Sequence, residues 1–318
     1  VRYQPKGVVG IISPWNFPVQ LAFDAIASAL AAGNRVMLKP SEFTPTTSAL
    51  LAQTIDLYFD EDEMAVIQGG PDVGAAFAGL PFDHLIFTGA TSIGRHVMRA
   101  AADNLTPVTL ELGGKSPVVV GRSADLAKTA ARVMAGKTMN AGQICLAPDY
   151  VLAPKESVAG FVSAARDAVA KMYPTIKDNP DYTAMINQRH YDRVRGLIAD
   201  ARAKGAEVVE INPANEDFSQ QEHRKIPPTI IVGATDDMGV MQEEIFGPVL
   251  PVRTYGSIEE SVAEVNRRPR PLALYYFGED KAESETLLSR THSGGVTIND
   301  VIFHISMHDL PFGGVGPS

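Results

Sequence analysis

The sequence predicts an α/β protein built as two doubly wound lobes, and three observations point there. Short, near-continuous apolar runs alternate with amphipathic helical segments along most of the chain. That is the pattern of a parallel sheet covered by helices on both faces. The alternation restarts after Gly113-Gly114, which places the lobe boundary there and divides the chain into residues 1–114 and 115–318. A length of 318 residues also suits two domains at about 100–200 residues each.

In chain order, Gly7–Ile12 (GVVGII) is the first strand, followed by a helix over Leu21–Ala32 that Gly33 ends. Arg35–Leu38 is the next strand. Thr44 and Pro45 supply an N-cap and a first-turn proline for a helix reaching Phe59, with Leu50, Leu51, Ile55 and Tyr58 expected on one apolar face. Strands follow at Met64–Gln68, His84–Phe87 and Val108–Glu111, with a helix over Thr91–Asn104 between the last two.

The second lobe opens with the strand Pro117–Val120. A helix over Asp125–Met139 carries Leu126, Ala130, Val133 and Met134 in register. Tyr150–Ala153 is a strand, and the helix from Lys155 presents Val158, Phe161, Val162, Ala165 and Val169. Asn187–Lys204 is polar enough to be a surface helix, and Asn212–Lys225 reads as an exposed loop. Strands at Thr229–Val232, Val249–Tyr255, Leu272–Phe277 and Gly295–Asn299 enclose helices at Ile258–Arg267 and Lys281–Thr291.

Composition removes several classes. Hydrophobic residues make up 45%, so disordered and fibrous classes drop out. The net charge of −9 argues against nucleic acid as the main partner, since phosphate binding needs clustered Lys and Arg. The most apolar stretch, Gly7–Gly33, is broken by Pro14, Asn16, Pro18, Gln20 and Asp24 and cannot span a bilayer. A single cysteine, Cys145, forbids a disulfide framework within the chain and fits a reducing, cytoplasmic setting. The chain starts at Val1, without a secretory leader, and stops in mid-turn at Ser318. Both ends therefore read as cut from a longer protein.

Several segments could carry chemistry. The usual Gly-x-Gly-x-x-Gly dinucleotide fingerprint is absent. Instead Thr88-Gly89-Ala90-Thr91-Ser92-Ile93-Gly94 joins a strand to a helix, as a pyrophosphate-binding turn or only a tight connection. Lys39-Pro40-Ser41-Glu42 ends another strand. Glu42 there could accept hydrogen bonds from ribose hydroxyls and repel a 2′-phosphate, or the segment is a solvated turn. Cys145, in Asn140-Ala141-Gly142-Gln143-Ile144-Cys145, is either an inert buried thiol or a nucleophile approached past small residues and stabilised by backbone N–H groups if it opens a helix. Glu111, a carboxylate in an apolar strand, is either a general base or an ion-pair partner of Lys115. Asn16, beside Trp15 and between Pro14 and Pro18, is a rigid amide donor to an oxyanion or a turn residue. The adjacent carboxylates Glu243 and Glu244 open an apolar run. His304 and His308 stand four apart without an obvious third ligand, so no metal site is expected.

Seven of these segments occur in an order that resembles the NAD(P)-dependent aldehyde dehydrogenase superfamily: Pro14–Pro18, Lys39–Glu42, Phe87–Gly94, Leu110–Pro117, Gly142–Cys145, Glu243–Val249 and Pro311–Gly316. The 34 residues from Glu111 to Cys145 match that family's base-to-nucleophile spacing. Ala147–Tyr150, Val240–Glu244 and Gly295–Val301 are most similar to its class-3-like branch, especially coniferyl-aldehyde dehydrogenases. The resemblance implies two Rossmann-like lobes, the first binding cofactor and lacking its N-terminal part, the second catalytic. It implies Cys145 as nucleophile, Glu111 as general base, and Asn16 with the Cys145 N–H as oxyanion hole. It also implies a cofactor site of Trp15, Lys39, Glu42, Gly89, Ala90, Gly94, Glu244 and Phe246, holding NAD with NADP as the alternative. The implied substrate is an aromatic, cinnamyl-type or medium-chain aliphatic aldehyde, and the implied assembly is a homodimer of the full-length parent. Thr138 departs from the pattern, standing where the branch usually has an aromatic, which would reshape the substrate tunnel. A cysteine hydrolase would need a histidine beside Cys145, and none lies between His96 and His190. A non-catalytic protein on the same scaffold remains the other alternative.

Overall fold

In a parallel sheet covered on both faces every strand residue meets a helix, and the apolar runs fold accordingly. The computed structural model describes residues 2–307 and 309–318. The chain divides into two units, the first ending at Leu112 and the second running Gly113–Ser318. The first unit runs β1 (Val8–Ile12), α1 (Gln20–Ala31), β2 (Arg35–Lys39), α2 (Pro45–Tyr58), β3 (Met64–Val66), α3 (Pro71–Ala78), β4 (His84–Thr88), α4 (Thr91–Ala102) and β5 (Val108–Glu111). Its sheet is parallel throughout, in the order β3-β2-β1-β4-β5.

Strand period two sorts the core. Val9 and Ile11 of β1 join Ala22, Ile26, Val36, Leu38, Ile55 and Met64 in one apolar cluster. Val8 and Ile12 pack against a second, built on Phe77, Phe82, Leu85, Phe87 and Val97. Gly10 shares that second face, where a Cβ would lie 2.6 Å from the Phe82 ring. Gly33 ends α1 at φ +82°, its N–H donating to Leu30 O at 2.8 Å.

On α2 the expected apolar face is narrower than foreseen. Ser48, Leu51 and Ile55 are buried, whereas Leu50 is 62% and Tyr58 77% exposed. Leu50 is turned about 100° from Leu51 around the helix, and Tyr58 is its final residue. Thr44 holds the N-cap position, but its hydroxyl donates to Ser41 O instead of capping.

The second unit runs β6 (Pro117–Val120), α5 (Leu126–Thr138), β7 (Tyr150–Pro154), α6 (Val158–Met172), α7 (Gln188–Ala203), β8 (Glu207–Glu210), β9 (Thr229–Val232), α8 (Gly239–Gln242), β10 (Val249–Tyr255), α9 (Ile258–Asn266), β11 (Ala273–Phe277), α10 (Lys281–Arg290) and β12 (Gly295–Ile298). The sheet order is β12-β11-β6-β7-β10-β9-β8. Every pairing is parallel except that of β8, which joins the edge antiparallel to β9. Side chains of Asp125, Ser257 and Asp280 cap α5, α9 and α10 by accepting backbone N–H groups.

Three expectations are corrected here. The polar α7 is not only a surface helix: Tyr191, Val194, Leu197 and Ala201 form a buried stripe in the core. Most of its turns are charged, which hides that stripe in the composition. The strand β8 was not foreseen, because Glu-Val-Val-Glu is too short to show alternation. The segment 212–225 is partly tied down, with Glu216 accepting from the N–H groups of Ile176 and Lys177, and Lys225 buried. Among the described residues no helix is long and apolar enough to cross a membrane.

Candidate functional site

In the first unit the sequence-predicted residues gather at the carboxyl ends of the strands. Trp15 and Asn16 follow β1, Lys39 and Glu42 follow β2, and Gly89 and Ala90 follow β4. β1 and β4 are sheet neighbours, and from them the strand order runs outward in opposite directions. That is the topological switch point at which open α/β sheets bind ligands.

Lys39 is buried and its ammonium donates to Glu42 Oε2 at 2.9 Å, while Glu42 itself lies in an exposed turn. Ala90 is the N-cap of α4 and has no side chain with which to cap it, and the first turn holds no acidic residue. An anion placed there meets backbone N–H groups and the positive end of the helix. Gly89 keeps the turn tight, since a Cβ would sit 2.7 Å from the Phe87 ring. Gly94 lies one turn into α4, where its missing Cβ lets the helix approach Leu112.

Glu111 ends β5. Its Oε2 is buried with no hydrogen-bond partner among the described residues, and burial pushes the carboxyl up to about 7. The alternative of an ion pair with Lys115 is not taken. All three ammonium donors of Lys115 are used elsewhere, by the Asp149 carboxylate, Val240 O at 2.7 Å and Glu243 O at 2.8 Å.

In the second unit the predicted residues lie at the opposite, amino ends of the strands. Cys145 precedes β7, Glu244 and Phe246 precede β10, and Gly113–Lys115 precede β6. Cys145 is half-buried in a turn closed by Ala147 N–H on Ile144 O, so it does not open a helix. Just upstream, Asn140, Ala141 and Gly142 all take positive φ. Gly142 admits no side chain, because a Cβ would fall 2.4 Å from Gly247 O. Gln143 locks this loop, donating to Asn140 O and Ala184 O and accepting from Ile186 N–H. The buried Tyr275 hydroxyl donates to Leu146 O at 2.6 Å, directly after the cysteine.

The segment 243–246 is held from several sides. Arg193 of α7 donates to Glu243 Oε1, Glu244 O and Ile245 O. Asp149 Oδ1 accepts the Ile245 N–H at 2.9 Å. The Glu244 carboxylate tucks against the double glycine: a Cβ on Gly113 would lie 2.2 Å from its Oε2, and the Gly114 N–H bonds to it. Burial, with the negative charge of Asp149 second, pushes Glu244 up to about 8 against the pull of Lys115 and Arg193. Thr138 is buried and spends its hydroxyl on Met134 O at 2.8 Å.

Sequence reasoning missed Asp149, Arg193, Tyr275 and Lys137. Only Lys137 had left a visible signal, since it continues the buried stripe Ala130, Val133, Met134 of α5 at helical spacing. His308 lies outside the described residues, and His304 bonds Thr297 through Nδ1. Among the described residues no group of three or more His, Cys, Asp or Glu could hold a metal.

The sequence model described as the aldehyde dehydrogenase family matches residues 1–318. A probable coniferyl aldehyde dehydrogenase of Caulobacter vibrioides is 68% identical over the whole chain, which spans 66% of that relative. A coniferyl aldehyde dehydrogenase of a Pseudomonas species is 59% identical with the same coverage. The chain thus spans just under two thirds of the length of these curated relatives. Among solved structures, a substrate-bound Staphylococcus aureus AldH superposes with a TM-score of 0.93 at 39% identity, over 99% of this chain and 67% of that one. A Mycobacterium tuberculosis aldehyde dehydrogenase complexed with NAD+ gives 0.84 at 33% identity, over 94% and 62%.

Proposed function

Since the chain belongs to the aldehyde dehydrogenase family, we propose that it oxidises an aldehyde to the carboxylic acid with NAD(P)+ through a thioester on Cys145. The observation that carries this reading is Glu111, a carboxyl with a buried oxygen that lacks a partner among the described residues and sits at about 7. A general base works best with its pKa near the working pH.

The residues at the carboxyl ends of the first sheet fit a dinucleotide. Lys39 and Glu42 offer a fixed cation and carboxylate to the adenosine ribose, and the uncapped start of α4 at Gly89-Ala90 receives the pyrophosphate. Trp15 and Gly94 complete that cradle, while Glu244 and Phe246 position the nicotinamide riboside. When bound, the nicotinamide accepts a hydride.

The Cys145 thiolate attacks the carbonyl carbon, and the side-chain amide of Asn16 with the Cys145 backbone N–H holds the developing oxyanion. After oxidation, the acyl group remains on sulfur as a thioester. Glu111 takes a proton from water as its oxygen attacks that thioester, and the carboxylic acid leaves with Cys145 restored as the thiolate. The naming of relatives 59–68% identical as coniferyl aldehyde dehydrogenases supports cinnamyl-type aldehydes as substrates, with medium-chain aliphatic aldehydes as the second class.

Glu111→Gln tests the reading by pre-steady-state NADH absorbance with cinnamaldehyde and NAD+. A full burst followed by a slowed steady state is expected. An unchanged steady state would remove Glu111 from the mechanism.

A further inference from the structure

The segment from Gly239 to Gly247, which carries Glu244 and Phe246, is held along α7 between Arg193 and Asp200. The Asp200 carboxylate accepts the Gly239 N–H at 2.8 Å. Both ends of the segment are glycines pressed on that helix: a Cβ on Gly239 would lie 2.7 Å from Leu197 Cδ2, and one on Gly247 2.8 Å from Val194 Cγ2. Tyr191 and Val194 are buried on either side of Arg193, so the packing of α7 fixes where its guanidinium starts from.

Three cations from separate parts of the chain divide the carbonyls of this segment. Lys115 takes Val240 O and Glu243 O, and Arg268 takes Met241 O at 2.7 Å. Arg193 takes Glu244 O at 3.3 Å and Ile245 O at 2.5 Å, and reaches Glu243 Oε1 at 3.0 Å. It thereby holds the peptide groups on both sides of Ile245, directly before Phe246. Phe246 sits at φ +47°, a left-handed conformation that a phenylalanine keeps only where its surroundings over-determine it. A guanidinium offers several N–H donors in one rigid plane and can serve two successive carbonyls and a carboxylate together, which an ammonium cannot match.

We propose that Arg193 is a positioning residue for Glu244 and Phe246, its planar fork fixing the main chain between them so that both side chains are presented to the nicotinamide riboside. The proposal rests on the reading of Glu244 and Phe246 given above. The positive charge of Arg193 also works against the burial that raises the Glu244 carboxyl, which favours the ionised form that accepts hydrogen bonds at both oxygens. Loss of the fork leaves two carbonyls short of a donor just where Phe246 must hold its costly φ. The segment then relaxes, and the nicotinamide half of the cofactor loses its fixed partners while the adenosine half does not.

The test uses the full chain with NAD+ and 5′-AMP as probes, binding being read by isothermal titration calorimetry and hydride transfer by the pre-steady-state NADH burst with cinnamaldehyde. Arg193→Met should bind NAD+ about three- to tenfold more weakly, the range of one net hydrogen bond. Its affinity for 5′-AMP, which carries only the adenosine half of the cofactor, should stay at wild type. Its burst should slow about tenfold or more, since a displacement of about 1 Å can cost on the order of 100-fold. Arg193→Lys restores the charge without the fork and should recover only part of both losses. Full recovery by Arg193→Lys would reduce Arg193 to its charge and overturn the proposal, and an equal loss of NAD+ and 5′-AMP affinity would overturn it as general damage to the fold. Where Arg193→Met folds poorly, Arg193→Lys decides: it should show the same split between the two probes, and wild-type values would overturn the proposal. Glu244→Gln tells the two readings apart. Wild-type NAD+ affinity and burst in that variant would remove the role of Glu244 and the proposal with it, whereas a weakened Glu244→Gln beside an unimpaired Arg193→Met would overturn the proposal alone.

Discussion

Gly142→Ala should damage both the stability of this protein and the setting of its single thiol, and the size of the effect follows from two independent constraints. The residue takes φ +72°, and a Cβ there would fall 2.4 Å from the carbonyl oxygen and 2.7 Å from the carbonyl carbon of Gly247. The left-handed conformation costs an L-residue about 1–2 kcal/mol. The clash is with backbone, which cannot swing aside as a side-chain tip can, and overpacking of that kind costs about 1–3 kcal/mol. The sum of about 2–5 kcal/mol, at about 2–4 °C per kcal/mol for a unit of this size, predicts a melting point lower by about 4–20 °C. Displacing the 140–143 loop also moves Cys145, and because the chain has one cysteine the rate of alkylation by iodoacetamide reports on that site alone. Gly196→Ala is the matched control. It lies in the exposed interior of α7 with nothing within 4 Å of the added carbon, so it should stabilise by about 0.8–1 kcal/mol. A Gly142→Ala protein with wild-type melting and wild-type alkylation rate would refute the reasoning.

Cys145→Ala should abolish turnover and leave calorimetric NAD+ binding intact; residual turnover at saturating aldehyde would exclude the covalent route. Tyr275→Phe deletes the buried donor to Leu146 O and should cost about 1–3 kcal/mol, read by denaturant unfolding, because the carbonyl loses its partner. Glu111 and Glu244 bind protons more tightly folded than unfolded, with values raised from 4.5 to about 7 and about 8, so their contribution to stability falls as pH rises from 4.5 through 8. Lys137, lowered from 10.5 to about 8, works the other way, its burial cost easing as pH rises from 8 to 10.5. Melting curves across pH should therefore lose the upper rise in Lys137→Met and part of the lower fall in Glu111→Gln. Glu42→Gln should shift cofactor preference toward NADP+, since it removes the carboxylate that repels a 2′-phosphate and frees Lys39 to bind one; an unchanged ratio of the two dissociation constants would count against a ribose role for Glu42.

The sequence by itself determined the alternation of strands and helices, because fully buried parallel strands must be apolar along their whole length. β1, β6 and β11 announce themselves that way. It also marked Cys145, Glu111, Asn16 and the glycine turns, since each is a residue type out of keeping with its neighbours, and their order carried the family resemblance. Tertiary structure decided what depends on the partner across space. Lys115 had to choose between carboxylates and went to Asp149. α7 buried a stripe that its charged majority concealed. Gly113 proved to be where the Glu244 carboxylate makes its close approach, and Gly142 where the loop before Cys145 presses on the backbone of Gly247. Local patterning records which side chains must leave water, but pairings between residues many positions apart are settled only when packing brings them together and burial makes each unpartnered charge expensive.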